Sequence, residues 1–121
     1  MKEDIQYFIE KNINNIVGTN IDKRTFIIVD EAAELADSKE CQKHLSEIAR
    51  LGGALGYRLI FATQYPTADT LPRQIKQNAD AKISFRLPTE YASRVAIDES
   101  GADTLECPGR AIYRTHEKYI V

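Results

Sequence analysis

Apolar positions follow two rhythms along the chain. Over residues 3–17, Ile5, Phe8, Ile9, Ile13, Ile16 and Val17 recur at intervals close to three and four, with polar residues between them. That spacing predicts one amphipathic helix, closed by Gly18-Thr19-Asn20. Phe26-Ile27-Ile28-Val29 is instead an unbroken apolar run, rich in β-branched residues, and predicts a strand buried on both faces, as in a parallel sheet. Asp37 and Ser38 are candidate caps for a helix over 39–52, with Leu45, Ile48, Ala49 and Leu51 inward. Gly52, Gly53 and Gly56 end or loosen that helix. A second buried strand is expected over 58–63, stopped by Tyr65-Pro66 because proline cannot donate to a ladder. Pro72 opens a short helix reaching Asn78, since its missing N–H is harmless in a first turn. Residues 81–87 alternate as a third strand, and Thr89 caps a helix to Ile97. Segments 110–113 and 118–121 pair as a hairpin around Thr115-His116-Glu117.

Strands alternating with helices imply right-handed crossovers and a mainly parallel sheet, with an antiparallel ribbon at the end. The expected organisation is one domain over 1–121. Residues 1–23 form a helix and link, and 24–115 form the core.

The first strand ends in Asp30-Glu31, at the sheet edge where open α/β folds hold ligands. An apolar run ending in Asp-Glu is the pattern of a Walker B strand, in which the Asp helps hold Mg²⁺ beside a nucleotide's phosphates. The plainer alternative is a core strand running into an acidic helix start, since carboxylates favour helix N-termini. If the second strand is its parallel neighbour, Thr63-Gln64 arrives at the same edge. An amide there can orient a water or sense a γ-phosphate. Gln64 as the first residue of an ordinary loop is the competing reading.

Composition narrows the options further. The 121 residues carry 16 Lys and Arg against 18 Asp and Glu, a formal net charge of −2, with 43% hydrophobic content. A free-standing nucleic-acid binder is usually clearly basic, so any DNA contact must be local or shared among subunits. Among the basic residues, Arg86 and Arg94 suit phosphate recognition better than any lysine, through the planar fork of donors. No apolar run approaches the ~20 residues of a membrane span, and no secretory signal pattern opens the sequence. A cytoplasmic setting is expected. Cys41 and Cys107 read as thiols in a reducing compartment. His44 and His116 have no partners at metal-ligand spacing, and no Ser/His/Asp constellation is evident.

The order and spacing of five segments resemble the C-terminal half of the motor domain of the FtsK/SpoIIIE family of DNA translocases. They are IIVDEAAEL at 27–35, IARLGGALGYRLIFATQYP at 48–66, LPRQIKQNADAKISFRL at 71–87, YASRVAID at 91–98 and GADTLECPGRAIYR at 101–114. The last two are most similar to members encoded on conjugative elements. The resemblance implies a partial RecA-like P-loop NTPase fold: a mainly parallel sheet, flanking helices and a C-terminal antiparallel hairpin, lacking the P-loop strand. It also implies ATP and Mg²⁺ as cofactors, double-stranded DNA as partner and a hexameric ring. Carried over by position, Asp30 would serve Mg²⁺ and Glu31 would be the catalytic carboxylate. Gln64 would be the sensor, and Arg94 would serve the nucleotide or the subunit interface.

Two departures qualify this. No Gly-x-x-x-x-Gly-Lys-Ser/Thr occurs in the sequence, so the phosphate cradle is missing. Gly53 stands where many relatives carry an arginine, with Arg50 one helical turn back as a substitute. The expectation is a piece of a longer motor, inactive alone and prone to self-association through strand edges. A non-catalytic ring-assembly module, or part of a protein-secretion ATPase of the same superfamily, are the alternatives.

Overall fold

The computed structural model describes residues 1–115 and the backbone of 118–120. In chain order it contains α1 (Lys2–Glu10), β1 (Thr25–Val29), α2 (Lys39–Leu51), β2 (Tyr57–Phe61), α3 (Arg73–Asn78), β3 (Lys82–Ser84), α4 (Glu90–Ile97), β4 (Ile112–Arg114) and β5 (Lys118–Ile120). Short 3-10 turns cover Ala32–Leu35 and Gly52–Leu55.

Helix α1 ends at Glu10, about two turns earlier than its apolar spacing suggests. Asn12 adopts a left-handed conformation (φ 54°). The Ile13 N–H then reaches the Phe8 carbonyl at 2.8 Å and the Asn12 N–H reaches Ile9 at 3.0 Å. This is a Schellman closure, and asparagine is one of the few residues that tolerate the position it requires. Beyond it Ile16 is buried and Val17 exposed. Helices α2 and α4 follow the sequence closely. The Ser38 hydroxyl accepts from the Cys41 N–H and the Thr89 hydroxyl from the Ala92 N–H, each satisfying a first-turn donor.

Strands β1 and β2 are parallel neighbours, in register from Thr25↔Tyr57 to Val29↔Phe61. The α/β class with a parallel sheet and flanking helices therefore stands. The sheet is split, however: β3 pairs antiparallel with β4, and β4 with β5, in a separate three-stranded sheet. Strands β2 and β3 do not meet, so β2 keeps a free edge among the described residues. The hairpin's turn residues His116 and Glu117 lie outside the described residues.

Burial corrects one expectation. Strands β1 and β2 are not covered on both faces: Phe26, Ile28 and Ile60 are 63%, 68% and 48% exposed. The register places them with Arg58 on one face, and among the described residues no layer packs over it. Ile83 and Phe85 on and beside β3 are also exposed, while Ser84 is turned inward. The best-formed core lies around α4, where Ile97, Ala102, Leu105 and Ile112 pack with Leu87 and Ala96. Ser93 is buried there, donating to the Glu99 carbonyl at 2.6 Å and accepting from the Ala102 N–H at 3.1 Å.

Candidate functional site at the strand tips

The parallel ladder of β1 and β2 runs past the strands themselves. The Ala62 N–H donates to the Val29 carbonyl at 2.9 Å, and the Ala32 N–H to the Ala62 carbonyl at 2.8 Å. Asp30 and Glu31 are thus pinched between two ladder bonds and forced out at the tip. Glu31 accommodates this in the left-handed region, with φ 50° and ψ 57°. That conformation costs a non-glycine residue about 1–2 kcal/mol. The Asp30 carboxylate offsets part of the strain by accepting the Glu31 N–H at 3.0 Å.

The Glu31 side chain then reaches across to β2. Its Oε1 lies 3.4 Å from Thr63 Oγ1 and 3.5 Å from the Gln64 N–H nitrogen. These are long, weak bonds, which orient the carboxylate without burying its charge. Beyond Gln64 the loop is braced by Thr70, whose hydroxyl donates to the Tyr65 carbonyl at 2.6 Å and accepts from the Thr67 N–H at 2.9 Å. Asp30 is exposed at the same tip.

Asp30, Glu31 and Gln64 therefore share one edge, and Thr63 joins them with a contact that the sequence did not assign. Arg94 is not drawn into this group. It lies on α4 with its guanidinium bonded to Glu90 at 2.7 and 3.0 Å. Arg50 is exposed at the last turn of α2. The guanidinium beside Gly53 belongs to Arg58, whose Nη1 donates to the Gly53 carbonyl at 3.1 Å. A methyl group at Gly53 would meet only that nitrogen, at 3.8 Å, so packing does not demand glycine there.

As a cofactor site the arrangement is one-sided. Asp30 and Glu31 are hard oxygen donors, suited to Mg²⁺ and to a water. Among the described residues no group of three or more His, Cys, Asp or Glu gathers to hold an ion without help from a ligand.

Comparison with known proteins gives this geometry its context. The chain is 30% identical over 125 residues to the DNA translocase FtsK of Clostridium acetobutylicum, covering 93% of this chain and 16% of that protein. It is 31% identical over 112 residues to that of Treponema pallidum, covering 91% and 14%. With that of Helicobacter pylori strain J99 it shares 38% identity over 81 residues, 65% of this chain and 10% of the relative. The chain belongs to the FtsK/SpoIIIE family. No family model matches it. It spans under a fifth of the length of these FtsK relatives.

Solved structures agree on the fold. The pCW3 conjugation coupling protein TcpA, in a monomer form with ATPgS, superposes with a TM-score of 0.82 at 24% identity, over 98% of this chain and 39% of that one. The cytoplasmic domain of the type VII secretion ATPase EccC of Thermomonospora curvata gives 0.79 at 21% identity, over 98% of this chain and 15% of that one. The fold is thus shared over nearly the whole chain, while the 121 residues contain no Gly-x-x-x-x-Gly-Lys-Ser/Thr sequence.

Proposed function

We propose that this chain is the acid-and-sensor half of an ATP-driven double-stranded DNA translocase. In this reading it is a cytoplasmic motor that works as a hexameric ring, with its phosphate-binding loop on another segment of the longer protein. The observation that carries the reading is the meeting of Glu31 with Thr63 and Gln64 at the carboxyl edge of parallel strands. Ligands bind at such edges in α/β sheets. The names of the FtsK relatives support DNA as cargo, and the TcpA structure supports ATP use and a conjugation or transfer role.

Each residue has a task in this reading. Asp30 holds Mg²⁺: one carboxylate oxygen is tied to the Glu31 N–H and the other has no partner among the described residues. Glu31 takes a proton from the attacking water. Gln64 orients that water and registers the γ-phosphate, and Arg94 serves the nucleotide or a neighbouring subunit. ATP with its ion supplies the transferable phosphoryl group. Without the cradle lysine and its glycine-rich amides, the isolated chain holds nucleotide weakly and turns none over.

A protein-secretion ATPase is the second reading, favoured by the nearly equal fit to EccC, at TM-scores of 0.79 and 0.82 for EccC and TcpA. A non-catalytic assembly module, suggested by Gly53 and the missing loop, is the third.

The test uses the chain and its longer parent. Glu31→Gln in the parent is expected to retain ATP binding and lower turnover by about 10²–10⁴, the usual worth of a general base. DNA binding by the parent should weaken steeply with salt, as phosphate neutralisation requires, and a flat response favours the secretion reading. Unchanged turnover in Glu31→Gln favours the assembly module. Steady-state ATPase activity in the 121-residue chain, lost in Glu31→Gln, overturns the half-site reading.

A further inference from the structure

Away from the strand tips, α3, β3 and α4 enclose an open cavity of about 460 Å³. Three cations line it, Arg73, Lys76 and Lys82, with one carboxylate, Asp98. The lining thus carries a net charge of +2 on a chain whose formal net charge is −2. Such local segregation is what an anion site requires and what chance solvation of surface charge does not need.

The bonding within the cavity is incomplete. Lys76 Nζ lies 2.7 Å from Asp98 Oδ1 and 3.1 Å from the Arg94 carbonyl, and Lys82 Nζ lies 3.0 Å from Asp98 Oδ2. Both lysine side chains are only 20% exposed, so their charges are partly desolvated and aimed at one point. An ammonium carries three donors, and two on Lys82 remain unused by these bonds. Arg73 also lines the cavity, is exposed, and makes no hydrogen bond or ion pair among the described residues. Leu71 and Val95 add apolar lining beside these charges.

We infer that this cavity is a phosphate-binding site, built by Arg73, Lys76 and Lys82, for the phosphate of a nucleic-acid backbone or of a nucleotide. Asp98 acts as a resident counter-ion: it holds the two ammonium groups in place and repels the incoming anion, which keeps the site weak. The inference does not rest on the nucleotide reading of the strand tips, because none of its residues belongs to that edge.

The probe is inorganic phosphate, a nucleoside monophosphate or a short DNA duplex, titrated into the isotope-labelled 121-residue chain and read from backbone amide shifts. Saturable shifts are expected at Leu71, Gln77 and Val95. Arg73→Glu should weaken binding about tenfold or more, the effect of losing a charge-assisted bond and adding a repulsion. Because Arg73 is exposed and unpartnered, that variant should melt like the wild type. Asp98→Asn should bind phosphate more tightly even though it removes three ion pairs, with Lys76, Lys82 and Arg114, a direction that a purely structural role cannot produce. Arg110→Glu, the same charge change at an exposed position outside the cavity, should leave binding intact. The tighter of duplex and monophosphate names the source of the phosphate. Absence of shifts at these amides with all three probes, or an equal loss in Arg110→Glu and Arg73→Glu, overturns the assignment.

Discussion

Gly56 shows how tightly one residue can be specified. Its φ of +82° is left-handed, and a Cβ there would stand 2.8 Å from Ile16 Cδ1 and 2.9 Å from the Lys23 carbonyl oxygen. Flexible side chains can move aside, but a backbone carbonyl cannot. Gly56→Ala should therefore cost about 2–4 kcal/mol, combining left-handed strain with overpacking, seen as a lowered denaturation midpoint. The counter-case is Gly53→Ala, which meets only Arg58 Nη1 at 3.8 Å, an ordinary contact, and should melt within experimental scatter of the wild type. Asp98 makes a different kind of prediction. Burial alone would raise its carboxyl pKa, but the bonds from Lys76 and Lys82 outweigh burial and hold it below the ordinary aspartate value of 3.8. A depressed carboxylate stabilises the fold above its unfolded value and loses that contribution as pH falls through the folded one. The difference in melting temperature between wild type and Asp98→Asn should thus be constant near neutrality and shrink below about pH 3.8. A difference that grows on acidification refutes this linkage.

Elements were legible where local chemistry and burial agreed. Thr89 and Ser38 cap α4 and α2 as their positions suggested, and Thr89→Ala should destabilise the chain by about 1 kcal/mol. The failures have physical causes. Helix α1 was overextended because Ile13 and Ile16 kept the helical interval, yet Asn12 closed the helix and Ile16 went into the core from a loop. Strand β1 looked buried on both sides because an unbroken apolar run says what should be covered, and not what covers it. At the site, Asp30, Glu31 and Gln64 could be placed on one edge by strand topology alone. The left-handed turn at Glu31 could not, since it arises from the ladder bonds of Ala32 and Ala62 on either side of the exposed pair. Lys76, Lys82 and Asp98 are spread over 23 positions of sequence and look like solvated charges until α3, β3 and α4 bring them together.

At the scale of the whole molecule, the chain has a parallel pair whose outer face is apolar and bare. Phe26, Ile28 and Ile60 lie on it in register, and β2 adds a free edge beside them. Contiguous exposed apolar surface of this kind marks an interaction face, and an unpaired edge offers hydrogen bonds to any passing strand. In the isolated chain the nearest available cover is a second copy, so sedimentation velocity should show association that increases with concentration. Replacing Ile28 with Lys and Ile60 with Thr places polar groups on the bare face while leaving the inward side chains of both strands alone. That double variant should sediment as a monomer with an unchanged circular dichroism spectrum and a melting temperature close to the wild type's, because Ile28 is mostly exposed and Ile60 about half exposed. A wild-type chain that remains monomeric at every concentration would mean that the face is tolerated in water. A double variant that unfolds would mean that Ile28 and Ile60 already support this fold from within.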